Sequence, residues 1–192
     1  IDFAKYAFNK SHAAAYAVVS YQTAWLKYYF PVEYMAALMT SVIDNPSKVS
    51  EYIYACRQMN IKILPPDINK GEANFSVDGG DIRYGLAAIK SIGRPVIKAI
   101  VEDREELGLF QNLEDFITRL SAKNVLNKRT IENLIKAGAL DTLGGTRKQF
   151  MSIYVQIVDH VTQEKKNSMV GQMTLFDLVS EDQKEEFQIR MP

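Results

Sequence analysis

Three groups of residues in this sequence have types and spacings suited to holding an anion or an apolar partner. In the first, Lys90-Ser91-Ile92-Gly93-Arg94-Pro95-Val96-Ile97-Lys98 reads as a tight turn, holding Ile92 and Gly93, in front of a helix opened by Pro95. Such a turn presents backbone N–H groups where the helix dipole favours negative charge, and glycine lets a phosphate approach the main chain. Lys90, Arg94 and Lys98, four residues apart, add charge that would follow a DNA backbone without reading bases. An ordinary αα-corner with solvated lysines would use the same residues, so both readings stand. In the second group, Lys10, His12 and Tyr16 lie at the start of an alanine-rich run. With Ser11 as N-cap, His12 and Tyr16 share a helix face, and Lys10 sits at the positively polarised end. That face suits a triphosphate, although His, Tyr and Lys in such places also serve simply to pack or to solvate. The third group is Gln172-Met173-Thr174-Leu175-Phe176, a glutamine ahead of two large apolar side chains in a polar stretch. Leu175 and Phe176 suit an apolar pocket on a partner, with Gln172 at its rim; alternatively they pin the terminus back onto the domain.

The punctuation between these groups places the elements. Asn9 to Ser11 precede Ala13, Ala14, Ala15 and Ala17, strong helix formers that lead into an aromatic run through Phe30. Pro31 opens a second helix that ends by Asp44. Asn45-Pro46 opens a third, whose Val49, Tyr52, Ile53 and Cys56 form one apolar stripe. Pro65-Pro66 enforces extended chain. Phe75-Ser76-Val77 and Ile82-Arg83-Tyr84 flank Asp78-Gly79-Gly80-Asp81 and predict a small hairpin, with both aspartates as turn residues rather than metal ligands. Leu86 to Lys90 reads as the first helix of the helix-hairpin-helix. A looser second hairpin follows from Leu113–Leu120 and Lys128–Ala137, the latter capped by Asn127 and stopped by Gly138. Lys123, Lys128, Arg129 and Lys136 are its weaker phosphate candidates. A long helix runs from Thr146.

The expected fold is mainly α. It comprises a helical portion over 1–60, an extended connector with a β-hairpin over 61–85, a tandem helix-hairpin-helix unit over 86–145, a helix over 146–166 and a flexible tail over 167–192. With 192 residues and 47% hydrophobic content, the chain can bury about 70% of its unfolded surface. The formal net charge of 0 does not argue against nucleic acid, because local basic clusters act locally. The single cysteine excludes an internal disulfide framework and a thiolate zinc cluster, and points to a reducing compartment. No apolar run reaches membrane-spanning length. The start at Ile1 without methionine reads as a segment of something larger.

Several stretches carry a resemblance. Tyr6-Ala7-Phe8-Asn9-Lys10-Ser11-His12-Ala13-Ala14-Ala15-Tyr16 through Trp25-Leu26-Lys27, then Pro31 to Leu38, Ile63-Leu64-Pro65-Pro66-Asp67-Ile68-Asn69, Gly85 to Gly93 and Leu134 to Asp141 resemble the C-family replicative polymerases, the bacterial DNA polymerase III alpha subunits. The resemblance runs to Asp177 and implies a piece from the late fingers through the helix-hairpin-helix unit to the internal clamp-binding motif. It implies incoming-deoxynucleotide contacts at Lys10, His12 and Tyr16. Duplex primer-template would be gripped at Lys90, Ile92, Gly93, Arg94 and Lys98, and a bacterial sliding clamp would be held by Gln172, Leu175 and Phe176. Other replisome subunits and a cytoplasmic location follow from the same likeness. Two-metal phosphoryl transfer needs carboxylates that the family carries in its palm, together with magnesium. No such cluster stands out here, so the expectation is no catalytic residue, no metal ligand and no activity in the piece alone. A non-catalytic adaptor, binding DNA through its hairpins and a protein through its tail, is the alternative.

Overall fold

The computed structural model describes residues 10–169, with side chains through Lys166. The chain is mainly α, as expected, with one small sheet. Helices α1 (Lys10–Tyr29), α2 (Pro31–Ser41) and α3 (Pro46–Gln58) lead into strand β1 (Ile63–Leu64) and the hairpin β2 (Ser76–Asp78) and β3 (Asp81–Arg83). A single 3-10 turn, Leu86–Ala88, precedes α4 (Arg94–Leu107), α5 (Leu113–Ala122), α6 (Lys128–Ala137) and α7 (Arg147–Met169). The described residues fall into two compact units: one up to Leu64 together with Phe75–Arg83, the other Pro65–Asn74 together with the chain from Tyr84 onward.

In the first unit the local signals act as read. Pro31 and Pro46 sit at helix starts, and the Asn45 side chain accepts from the Lys48 N–H at 3.1 Å. Helix α3 closes with Asn60 in the left-handed region (φ 58°), the Ile61 N–H reaching the Cys56 carbonyl at 2.9 Å and the Asn60 N–H reaching Arg57 at 3.1 Å, a Schellman arrangement. Helix α2 packs on α3 and on the hairpin, and Met35, Met39, Val49, Cys56 and Ile82 are buried. Gly79 (φ 61°) and Gly80 (φ 92°) make the two-residue turn that joins antiparallel β2 and β3. Asp78 pairs with Arg83 at 2.6 Å, and Asp81 accepts from the Lys62 N–H at 3.0 Å, so both are engaged in structure. Strand β1, read only as connector, adds in parallel to β3 and gives the order β1-β3-β2.

The second unit holds the larger core, which includes Ile97, Ile100, Phe116, Ile117, Leu120, Ile131, Leu134 and Phe150. The segment Asp67–Glu72 is stitched into it. Asn69 donates to the Phe110 carbonyl and accepts the Phe110 N–H, both at 2.9 Å, and the Ile68 N–H reaches the Ala139 carbonyl at 3.0 Å. Arg104 from α4 donates to the carbonyls of Ile68 (3.1 Å) and Gly71 (2.5 Å) and pairs with Glu72. Beside it, Arg119 donates to the Asp103 carboxylate (2.7 Å) and to the carbonyls of Asp103 (3.0 Å) and Gly108 (2.9 Å), and lies over the Phe110 ring. Lys123 Nζ stands 3.0 Å from Asp103 Oδ1, an ion-pair contact without hydrogen-bond geometry. The buried carboxylate thus has two cations, the arrangement that makes its burial tolerable.

Helix α6 ends at Gly138 (φ 81°), with the Ala139 N–H on the Leu134 carbonyl and the Gly138 N–H on that of Ile135, both at 3.0 Å. A Cβ at Gly138 would run into the Arg147 guanidinium, itself held by Asp141 at 2.6 Å. Gly138→Ala is therefore expected to lower stability by about 1–2 kcal/mol from the left-handed backbone, with more from displacing Arg147. Urea unfolding followed by circular dichroism checks this. In the first unit, burial pushes the Cys56 thiol pKa up. The expected outcome is that maleimide labels Cys56 only once denaturant has opened that unit.

Candidate nucleic-acid interface

The first turn is built differently from the sequence reading. Leu86 to Lys90 is not a helix. Only Leu86–Ala88 completes a 3-10 turn, after which Ile89 is extended (φ −76°, ψ 122°). The Ala88 and Ile89 N–H groups close i→i−3 bonds on the carbonyls of Gly85 (3.1 Å) and Leu86 (3.2 Å), while the Leu86 and Ala87 N–H groups tie the segment to the carbonyls of Glu72 (2.9 Å) and Ala73 (3.0 Å). Lys90 consequently lies in the turn and not one helical step before Arg94. Only Arg94 and Lys98 share a helix face.

Buried Ile89 and Ile92 stand on either side of exposed Lys90 and Ser91, and Ser91 adopts φ 65° to turn the chain. Exposed Gly93 then caps α4 with no side-chain hydrogen bond, its carbonyl accepting from Val96 (3.0 Å) and Ile97 (3.3 Å). Pro95 has no N–H, and those of Gly93 and Arg94 take no hydrogen bond among the described residues. Gly93 has φ −74° and ψ 146°, which any residue adopts, and a Cβ there would meet nothing nearer than Pro95 at 3.5 Å. The fold therefore gives no reason for glycine at this position. Lys90 and Arg94 make no ion pair among the described residues, and Lys98 is shared with Glu102 at 3.5 Å. The result, among the described residues, is an open helix N-terminus with two unpaired cations beside it.

The second turn, between α5 and α6, has a similar course but is filled. Asn124 takes the left-handed position (φ 57°) and Asn127 the N-cap, accepting from the Thr130 N–H at 2.9 Å. Lys165 of α7 reaches into this turn, donating to Asn124 Oδ1 at 2.6 Å and the Ser121 carbonyl at 3.1 Å. Lys123 pairs with Asp103, Lys128 with Asp159 at 2.6 Å and Lys136 with Glu132. Of the four weaker candidates only Arg129 has no ion pair among the described residues. Nothing local to the second turn announces Lys165, which lies 41 residues beyond Asn124.

On α1, Ser11 lies inside the helix and is not its cap, because the helix is already formed at Lys10. His12 and Tyr16 come together as expected, ring centroids 4.4 Å apart and planes tilted by 50°. Lys10, two residues before His12, does not share that face. Gln172, Leu175 and Phe176 lie outside the described residues. Among the described residues no group of three or more His, Cys, Asp or Glu is placed to hold a metal ion, and no helix is long and apolar enough to cross a membrane.

The comparisons agree with this geometry. A family described as "Helix-hairpin-helix motif" matches residues 60–150. The DNA polymerase III subunit alpha of Vibrio cholerae is 47% identical over 180 residues, covering 93% of this chain and 15% of the relative. That of Escherichia coli K12 is 46% identical over 181 residues, covering 94% and 16%. That of Mycobacterium tuberculosis H37Rv is 44% identical over 176 residues, covering 92% and 15%. Along nearly its whole length, then, the chain is related to a segment of the DNA polymerase III alpha subunits, a segment about one sixth of such a protein with a helix-hairpin-helix at its centre.

Proposed function

We propose that this chain serves template-directed DNA synthesis as a segment of a replicative polymerase, gripping the backbone of duplex DNA through the turn at Gly93. The observation that carries the reading is the unfilled N-terminus of α4, where a glycine that the fold does not need leaves room for a phosphate. Gly93 and Arg94 supply N–H donors, Arg94 and Lys90 supply charge, and buried Ile92 fixes the bend rather than touching the ligand. Lys98 contributes after release from Glu102. Sequence is not read, since backbone donors and flexible cations see phosphate alone.

Two further contributions belong to the same reading. Incoming deoxynucleotide meets Lys10, His12 and Tyr16, where the tilted His12–Tyr16 ring pair supports the reading. A sliding clamp takes Leu175 and Phe176 as anchors with Gln172 at the rim. The magnesium of phosphoryl transfer would be held by carboxylates elsewhere in the longer protein, and this chain alone would extend no primer. Other replisome subunits remain partners of that longer protein, in the bacterial cytoplasm.

Duplex affinity measured by fluorescence anisotropy across a salt series tests the central part. Gly93→Ala should leave the urea midpoint unchanged and weaken binding. Arg94→Ala should weaken binding and flatten the logarithmic salt slope by about 1. Wild-type affinity for Gly93→Ala, or a slope unchanged in Arg94→Ala, would contradict the assignment. In the longer polymerase, His12→Ala should raise the apparent KM for deoxynucleotide, and steady-state primer extension checks it.

A further inference from the structure

Arg104 lies near the C-terminal end of α4, with its side chain only 9% exposed. Its N–H groups go to the carbonyls of Ile68 and Gly71 and to the Glu72 carboxylate, three acceptors on one short stretch of the connector. A rigid guanidinium fork serves several acceptors in fixed directions, which an ammonium does not match. The same stretch is also closed on itself and seated on the core. The Gly71 N–H reaches the Asp67 carbonyl at 2.6 Å, and a Cβ at Gly71 would stand 2.6 Å from that carbonyl oxygen and 3.4 Å from Leu86 Cγ. The fold needs a glycine at 71, as it does not at 93.

The end of this stretch passes the anchorage on to the first turn. The Glu72 and Ala73 carbonyls accept from the Leu86 and Ala87 N–H groups, and Leu86 is fully buried. From there the chain makes its 3-10 turn and enters the bend through Ile89. Burial of Ile89 and Ile92 holds the bend down, but apolar burial is non-directional and leaves a side chain free to rotate in its seat. Hydrogen bonds are directional, so the pairing at Glu72 and Ala73 sets the register and angle at which Leu86–Ala88 meets α4. Arg104 belongs to α4 itself. The helix that begins at the bend therefore also holds, through its far end, the chain that leads into the bend.

We propose that Arg104 is a positioning residue for DNA binding: it touches no phosphate and acts by holding the Ile68, Gly71 and Glu72 stretch, so that the Gly93 and Arg94 N–H groups keep their outward aim. This rests on the reading that the first turn grips duplex DNA. The state of the turn is measured without DNA, so the two fail separately.

Arg104→Lys keeps the charge but loses the fork, and Glu72→Gln removes the ion pair while leaving the bonds to the Ile68 and Gly71 carbonyls in place. Amide exchange of the full chain without DNA, followed by NMR, is the first readout. In Arg104→Lys the Leu86 and Ala87 amides should exchange roughly tenfold to hundredfold faster, while the Ile153 and Ile157 amides of α7 keep their wild-type protection. The Ser91, Gly93 and Arg94 resonances should shift as well. Glu72→Gln should leave all of these unchanged. Duplex titration by fluorescence anisotropy is the second readout. Arg104→Lys should bind roughly threefold to thirtyfold more weakly with the wild-type logarithmic salt slope, whereas Arg94→Ala lowers that slope by about 1. A general loss of stability would instead speed exchange throughout the unit and leave the affinity of the folded chain untouched. Uniform acceleration, or unmoved Ser91, Gly93 and Arg94 resonances, would overturn the proposal. So would a salt slope reduced by one contact, because Arg104 would then be a phosphate ligand. A wild-type chain that binds no duplex refutes the reading of the turn, and the exchange data still decide whether Arg104 shapes it.

Discussion

The burial of Ile89 and Ile92 on either side of two exposed residues is the constraint on which the shape of the first turn depends. Both side chains belong to the main core, so the chain between them must bulge outward and reverse within Lys90 and Ser91. Ser91 accepts a left-handed conformation to do so, at a cost on the order of 1–3 kcal/mol. Burying two isoleucines contributes about 1.5–3 kcal/mol each, enough to hold the bend. The consequence is geometric. Helix α4 must begin at the surface, its first N–H groups facing outward, because the residues before it are anchored from beneath.

The two turns of this unit share a backbone device and differ in what occupies them. Each uses a non-glycine residue at positive φ, Ser91 or Asn124, shortly before an N-cap. At the second turn the cap is a side chain, Asn127, and an ammonium from α7 fills the bend. At the first turn the cap is a glycine with no side chain to accept from the helix, and no other described element reaches in. Electrostatics follows the same division, since among the described residues Lys123, Lys128 and Lys136 are each engaged by a carboxylate while Lys90 and Arg94 are not. The looser hairpin thus supports the packing of the unit, and the tighter one is available to a ligand.

Much of the fold was legible because its signals are local. Asn45-Pro46, Asn127 and Gly138 each act within one helical turn, and Asp78-Gly79-Gly80-Asp81 specifies a hairpin with its own backbone requirements. The misread stretch, Leu86 to Lys90, is apolar and alanine-rich, so propensity favours helix. Its course is set by contacts distant in sequence, the Leu86 and Ala87 N–H groups pairing with the carbonyls of Glu72 and Ala73. The same holds for the Asn69–Phe110 exchange and the Arg104 clamp, which join residues more than thirty apart and leave no periodic trace. At the site, Gly93, Arg94 and the His12–Tyr16 face could be seen from spacing. That Lys98 is shared, and that Lys165 fills the second turn, depends on contacts across the fold.

The central claim is that anionic DNA meets the main chain at the first turn and not the second. Amide chemical-shift mapping of the isotopically labelled chain, titrated with a short duplex, observes both turns in one experiment. The account predicts that the Gly93 and Arg94 amide resonances move first and furthest, with those of Asn124 and Leu126 nearly still. Shifts centred on residues 123–128, with Gly93 and Arg94 unmoved, would contradict it.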